Sequence, residues 1–242
     1  MFGYICRQLP AIMISYNWVS FFLLIAPFLL SMLVEWRLYK KYSTLLPPQL
    51  ILHLSRCVTI VFFILAAMVI DAKGWLNTQG LQSFLSLHTR ALWATLILGA
   101  VMLTATTLMA KKGLTGDRPK QYLPMTLPRL IIYTVVWMAY LLAYEVFIRG
   151  FLLPGTLGAA ILPGEGDTNA ILLAGAIVAN ALFYGAIHLP KGRQEALGAL
   201  VFGLVAAPLT LWAGSVWPVF IAHAILSLQM DVRPTWRQNV VR

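Results

Sequence analysis

The feature that most constrains this chain is a series of apolar runs, several of them long enough to cross a bilayer as a helix. Of the 242 residues, 60% are hydrophobic and only 11% are charged, an apolar share well above that of soluble domains. The sequence therefore predicts an all-α fold. We expect a polytopic membrane helical bundle with about seven transmembrane helices and a polar intramembrane cavity.

The apolar runs place the predicted membrane spans. In chain order they lie at residues 17–35, 56–70, 91–110, 130–162, 170–189, 196–212 and 217–230. The fourth run is long enough for a tilted helix, or for a helix followed by a re-entrant piece. His53 and Arg56 stand at the start of the second span, and long side chains there are expected to extend toward the membrane surface.

The loops between the runs predict the orientation. The net charge is +10, and the basic residues concentrate in loops 36–50, 111–129 and 190–195 and in the tail, whereas the opposite side carries only Arg7, Lys73 and Arg90. The positive-inside rule then predicts an outer N-terminus and a cytoplasmic C-terminus. This asymmetry explains the basic charge, so the bilayer is the expected partner and no nucleic acid is.

Glu145 lies inside the fourth apolar run, and Arg149 follows it by one helical turn. A charge in the hydrocarbon core costs about 2.5–3.5 kcal/mol on insertion scales, so it is retained only where something offsets that cost. An acid four residues before a base is the favourable order for an intrahelical pair. Two interpretations stay open: a salt bridge that lets two charges share the membrane, or a catalytic carboxylate in a polar cavity.

Two further spans carry polar residues at every fourth position, close to one helical face. The sets are Asn180, Tyr184 and His188 in the fifth span, and His223, Ser227 and Asp231 in the seventh. A single residue of this kind usually just hydrogen-bonds a neighbouring helix. Ionisable groups on three spans favour inward-facing positions, because lipid does not tolerate them. We expect the side-chain tips of Glu145, His188 and His223 to meet within about 10 Å of one another.

These motifs resemble the CPBP intramembrane proteases, which include the CAAX prenyl endopeptidase Rce and bacterial abortive-infection-like membrane proteins. That family carries E-E-x-x-x-R-G, F-x-x-x-H and H-x-x-x-N on three successive membrane helices. Here the motifs read Y-E-V-F-I-R-G at Tyr144–Gly150, Y-G-A-I-H at Tyr184–His188 and H-A-I-L-S at His223–Ser227. The lead-in G-S-V-W-P at residues 214–218 is also similar. The resemblance covers roughly residues 130–231.

The resemblance implies a glutamic-type intramembrane endopeptidase. In such enzymes a glutamate and the first histidine activate a water, and the second histidine and the asparagine stabilise the oxyanion. The catalytic residues implied here are Glu145, His188, His223 and Ser227, with Arg149, Tyr144, Tyr184 and Asn180 in support. The H-E-x-x-H motif is missing from the sequence, so neither a metal nor another cofactor is expected. The implied substrate is a membrane-associated or lipidated protein, and the implied location is a bacterial plasma membrane.

The chain departs from the family pattern at two important positions. Tyr144 replaces the first glutamate, usually assigned to water activation, and a phenol is a poor base at neutral pH. Ser227 replaces the asparagine, and Tyr184 replaces the phenylalanine, a milder change. Two functions therefore stay open: the endopeptidase, or a catalytically impaired member acting as a membrane binding or immunity protein. A transporter is less favoured, because the chain has no internal repeat.

We divide the chain, as one structural domain, into N-terminal transmembrane helices and basic loops (1–128), a CPBP-like core (129–232) and a cytoplasmic tail (233–242). Within the core, small residues in the sixth span should pack against the motif helices; they are Ala199, Gly203 and Ala207. Ser227 should face the partners of His223, with Asp231 one turn beyond. Arg149 should turn toward Glu145, and Tyr144 should border the site.

Overall fold

The computed structural model describes residues 48–72, 85–111, 126–153, 170–189 and 193–232, with scattered positions between 25 and 41. Its helices are α1 (Pro48–Ala72), α2 (Thr89–Lys111), α3 (Leu127–Glu145), α4 (Ala170–Ala186), α5 (Arg193–Ala213) and α6 (Trp217–Ser227). Two of them continue as π-helix, α3 through Val146–Leu152 and α6 through Leu228–Val232. Within these ranges no strand occurs, and the predicted all-α fold is confirmed.

Three stretches of helix in the described residues are long and apolar enough to cross a bilayer: Thr89–Met109, Leu127–Leu152 and Arg193–Ala213. Three shorter apolar helices also occur in these residues: Leu54–Leu65, Ala170–Ala186 and Trp217–Met230. Large hydrophobic side chains on α2 point outward, Trp93, Ile97 and Val101 among them, as suits contact with lipid. The chain is thus an integral membrane protein.

The observed helices coincide closely with six of the predicted spans. The helices at 89–111, 170–186, 193–213 and 217–232 match predicted segments within a few residues at most ends, and α1 contains the predicted 56–70. The predicted fourth span begins as expected, and its helix reaches residue 153, beyond which the chain is outside the described residues. The first predicted span, 17–35, also lies mostly outside them.

Small residues bring α4 and α5 close together. α4 packs along α5, α6 packs against α2, and α1 packs against α3; α6 also contacts α3 and α5. A Cβ added to Gly203 would stand 3.0 Å from the Cα of Ala181 on α4, so only glycine fits this approach. Ala199 and Ala207 pack against buried clusters that include residues of the α3 helix and α4. The predicted packing of the sixth span on the motif helices is confirmed.

A tight turn joins α5 to α6 and is tied to the segment before α2. Gly214 has φ 62°, in the left-handed region that disfavours a side chain. Next to it, the Oγ of Ser215 donates to the carbonyl of Ser86 at 2.9 Å. The Nε1 of Trp217 donates to the carbonyl of Leu85 at 2.6 Å. These bonds hold the start of α6 against the start of α2.

α3 and α4 are staggered along the bundle. Tyr184 lies half a turn before the end of α4, whereas Glu145 lies about five turns beyond the start of α3. Their side chains nevertheless meet, because the Tyr184 hydroxyl donates to Oε1 of Glu145 at 3.0 Å. The preceding turns of α3 pack against α1 and α6. The stagger removes the separation of tens of ångströms that a simple hairpin would place between Glu145 and the end of α4.

Candidate active site

Glu145 is fully buried where α3 passes into its π-helical segment. Its Oε1 accepts a hydrogen bond from Tyr184 at 3.0 Å and lies 2.6 Å from Nδ1 of His223. Its Oε2 lies 3.5 Å from Nε of Arg149. Side chains from three helices therefore hold one carboxylate. π-helical turns are rare and occur frequently at functional sites, which fits this position.

Arg149 is also fully buried and links α3 to α4. Its Nη1 donates a hydrogen bond to Oδ1 of Asn180, and Nδ2 of Asn180 donates to the carbonyl of Ile148 at 3.2 Å. The guanidinium also lies over the Tyr184 ring, 4.7 Å from its centre. The expectation that Arg149 turns toward Glu145 is confirmed. Oε2 of Glu145 thus faces Arg149, while Oε1 faces side chains of α4 and α6.

His223 is the most accessible member of this cluster. Its Nδ1 lies 2.6 Å from Glu145 and 3.1 Å from the Tyr184 hydroxyl. The side chain is 14% exposed, whereas that of Glu145 is 0% exposed. A carboxylate beside one imidazole nitrogen holds the orientation of the ring. Nδ1 is therefore the nitrogen of His223 that faces Glu145.

His188 joins the cluster from the turn that follows α4. Its Nδ1 lies 2.8 Å from the carbonyl oxygen of Tyr184, an acceptor, so this nitrogen donates the hydrogen bond. The ring lies 4.9 Å from the Tyr184 ring, centre to centre. His188 is buried at 7% exposure. It therefore reaches the Glu145 and His223 pair through the ring of Tyr184.

Tyr144 borders both histidines, as expected. Its ring centre lies 6.3 Å from that of His188 and 6.3 Å from that of His223, nearly perpendicular to each. The phenol is buried and occupies the position of the first glutamate in the resembling family. Within the described residues, no group of three or more His, Cys, Asp or Glu side chains is arranged to hold a metal ion.

Ser227 lies one turn after His223 and has a hydrogen-bond partner on α3. Its Oγ accepts a hydrogen bond from Nε1 of Trp137 at 2.6 Å. Trp137 lies about two turns before Glu145 on α3. The hydroxyl of Ser227 thus meets the indole of α3, and its position relative to the partners of His223 stays a prediction. The side chain of Asp231 lies outside the described residues.

Arg56 is buried, in contrast to its predicted position at the membrane surface. The prediction that it extends toward the membrane surface is wrong: it is 5% exposed and its guanidinium carbon lies 3.0 Å from the centre of the Trp137 ring. It also lies 5.4 Å from the centre of the Tyr140 ring. Attraction to aromatic faces offsets part of the lost hydration. A signal existed in the sequence, because aromatic residues recur every three or four positions along α3 from Tyr133 to Tyr144.

The part of the chain that contains this cluster matches a known protein family. Residues 125–228 match the sequence model described as type II CAAX prenyl endopeptidase Rce1-like. The matched range begins just before α3, ends just after the α-helical part of α6, and contains Glu145, His188 and His223. No curated protein and no solved structure matches the chain. Helices α1 and α2 precede the matched range. Residues 125–228 of this chain are therefore an Rce1-like domain, of the CPBP family.

Proposed function

We propose that this protein is an intramembrane endopeptidase that hydrolyses a peptide bond in a membrane-associated or lipidated protein. The Rce1-like domain supports the peptidase class. The observation that carries the proposal is the 2.6 Å contact between Oε1 of Glu145 and Nδ1 of His223. An ion pair with Arg149 would by itself offset the charge of Glu145. A second partner, the histidine on another helix, therefore supports a catalytic role for Glu145.

Water activation is assigned to the pair formed by Glu145 and His223. Nε2 of His223 takes a proton from water as the water oxygen attacks the carbonyl carbon, and Glu145 stabilises the resulting imidazolium. His223 then returns that proton to the leaving amine as the C–N bond breaks, which yields a carboxylic acid and an amine. Compared with the family that the sequence resembles, this assignment exchanges the roles of the two histidines. The reason is that Glu145 contacts His223 directly, whereas Nδ1 of His188 bonds a backbone carbonyl.

Tyr144 is assigned the hydrogen bond to the oxyanion. Its ring centre lies 6.3 Å from the ring centre of each histidine, which keeps the phenol near both imidazoles. A positioned donor in a dry site stabilises developing negative charge strongly. His188, with Nε2 as an acceptor, is assigned to hold the N–H of the substrate backbone. Ser227 is assigned a supporting position on α6 through its bond to Trp137.

The membrane setting supports the proposed substrate class. The carboxylate is fully buried within helices that have lipid-facing apolar surfaces, so a substrate would reach it from within the bilayer. A lipidated or membrane-embedded peptide meets that requirement. The proposal includes seven spans, a cytoplasmic C-terminus and a polar cavity that admits water, as the charge distribution and the polar motif residues predict.

The test compares membranes that contain the wild-type chain with membranes that contain single-residue variants. We expect Glu145→Gln and His223→Ala to remove the same set of cleaved membrane peptides, detected by mass spectrometry. His88→Ala is the matched control, because His88 is exposed and lies at the start of α2, where its Nδ1 accepts from the Ala91 amide at 3.3 Å. Identical peptide sets for all proteins would contradict the endopeptidase and favour a membrane binding or immunity role.

A further inference from the structure

We infer that Arg56, on α1 and outside the matched range 125–228, is a positioning residue for His223. Its guanidinium stacks on the Trp137 ring, and the Trp137 indole N–H donates a hydrogen bond to Ser227. That bond fixes the axial position of α6, and so the distance between His223 and Glu145. The activity readout of this inference rests on the proposed function, but its spectroscopic readout does not. The inference gives α1 a role in positioning a residue of the site.

The first contact joins α1 to α3. The guanidinium carbon of Arg56 lies 3.0 Å from the centre of the Trp137 ring, and α1 packs against α3 along this face. Ser55 and Thr59 are buried on the same helix, so Arg56 belongs to the inward side of α1. A planar guanidinium over an indole face restricts the tilt of that ring. The direction of the indole N–H is thereby set.

The second contact joins α3 to α6. Nε1 of Trp137 donates to Oγ of Ser227 at 2.6 Å, between residues 90 positions apart in the chain. Ser227 is the last residue of the α-helical part of α6, immediately before the π-helical segment. A bond at this junction anchors the helix against sliding along its axis, and His223 lies one turn before it. The anchor therefore acts on the residue that contacts Glu145.

The contact between His223 and Glu145 is sensitive to such sliding. The Nδ1 to Oε1 distance is 2.6 Å, and a hydrogen bond of this type weakens once it exceeds about 3.2 Å. A shift of α6 by less than 1 Å would therefore weaken the contact. Misplacement of about 1 Å by a distant substitution can lower a rate by about 100-fold.

The experiment uses the full chain in lipid nanodiscs. The variants are Arg56→Lys, which keeps the charge but loses the planar stack, and Arg56→Met, which loses both. The matched control is Thr59→Val, on the same helix and equally buried, whose hydroxyl bonds the carbonyl of Ser55 in its own helix. The readouts are kcat and KM for a cleaved membrane peptide, and the ring N–H proton resonance of His223, assigned by its loss in His223→Gln.

We expect Arg56→Met to lower kcat by about 10- to 100-fold with KM unchanged. Arg56→Lys should cause a smaller loss, and Thr59→Val none. The His223 resonance should move upfield in the same order, because a short hydrogen bond to a carboxylate shifts it strongly downfield. A merely structural role for Arg56 would lower the yield of folded protein and leave the resonance of the folded fraction where it was.

Two outcomes would overturn the inference. One is folded Arg56→Lys with the resonance and kcat of the wild type. The other concerns Trp137→Phe, which keeps a ring beneath Arg56 but removes the donor to Ser227. If the His223 resonance of this variant equals that of the wild type, the bond between Trp137 and Ser227 does not position His223. Trp137→Phe also carries the test if Arg56→Met fails to fold. A wild-type chain without cleavage would defeat the proposed function, while the resonance would still decide the role of Arg56.

Discussion

The hydroxyl of Tyr184 donates a hydrogen bond to Oε1 of Glu145 at 3.0 Å and so ties α4 to α3. The same hydroxyl lies 3.1 Å from Nδ1 of His223. In the family pattern that the sequence resembles, this position is phenylalanine, which has no hydroxyl. The replacement is therefore less mild than the motif suggests, because it adds a third polar group to the contact between the acid and the histidine.

Removing that hydroxyl should cost stability and leave cleavage in place. Tyr184→Phe deletes one hydrogen bond to a charged group, which is worth about 1.5–3 kcal/mol, while the ring continues to fill its site. Glu145 still contacts His223, so substrate cleavage should persist. Thermal unfolding in detergent and a cleavage assay would measure the two effects. Unchanged unfolding together with lost cleavage would be the reverse of this expectation.

The buried ion pair can be tested with a double-substitution cycle. Arg149→Met leaves the carboxylate of Glu145 without its charged partner, and breaking a buried pair in this way costs about 3–5 kcal/mol. Glu145→Gln in the same chain should recover a large part of that loss, because the uncompensated charge is gone. Chemical unfolding of the single and double variants measures the coupling. Strictly additive losses would show that the two side chains do not depend on each other.

Tyr144 should respond in opposite directions to two substitutions. Tyr144→Phe removes the proposed donor to the oxyanion and should lower kcat by about 100-fold. Tyr144→Glu restores the family's first glutamate beside the histidines and should raise the cleavage rate. Steady-state kinetics on one membrane peptide would measure both. A folded Tyr144→Phe as fast as the wild type would remove Tyr144 from the mechanism, and a slower folded Tyr144→Glu would contradict rescue by the family's glutamate.

Ser227→Asn restores the amide of the family pattern and should raise activity. The asparagine Oδ1 can still accept from Trp137, and its Nδ2 adds a donor near His223. Ser227→Ala is the companion variant; it leaves the buried indole N–H without this acceptor and should cost about 1–3 kcal/mol of stability. Cleavage kinetics and unfolding would be measured on both. Reduced activity in a well-folded Ser227→Asn would show that the third motif is assigned wrongly.

The close approach of α4 and α5 predicts different effects at two glycines of α5. Gly203→Ala places a methyl group 3.0 Å from the Cα of Ala181, which should destabilise the protein by about 1–3 kcal/mol. Gly198→Ala meets nothing within 4 Å in the described residues and should be neutral or stabilising by up to about 1 kcal/mol. Unfolding midpoints would separate the two. Equal effects would mean that the interface can open at no cost.

The sequence by itself determined the helices and the set of residues that had to turn inward. Long apolar runs form helices in a bilayer because every backbone hydrogen bond must be satisfied within the segment, so the bounds of α2, α4, α5 and α6 could be predicted within a few residues. The high cost of charge in lipid predicted that Glu145 and His223 would face the interior. The order and spacing of the three motifs indicated the family before any geometry was known.

Tertiary structure alone decided which of these residues touch. The contacts of Glu145 with His223 and Tyr184 depend on how α3 lies against α6 and α4, which arises from packing between helices and not from spacing within one. Arg56 turns onto Trp137, and Trp137 reaches Ser227, because residues far apart in the chain offer an aromatic face and a hydroxyl at the right height. A helical period specifies the face on which a side chain lies. The rotation and axial shift of each helix, which select its partner, follow from all the contacts at once.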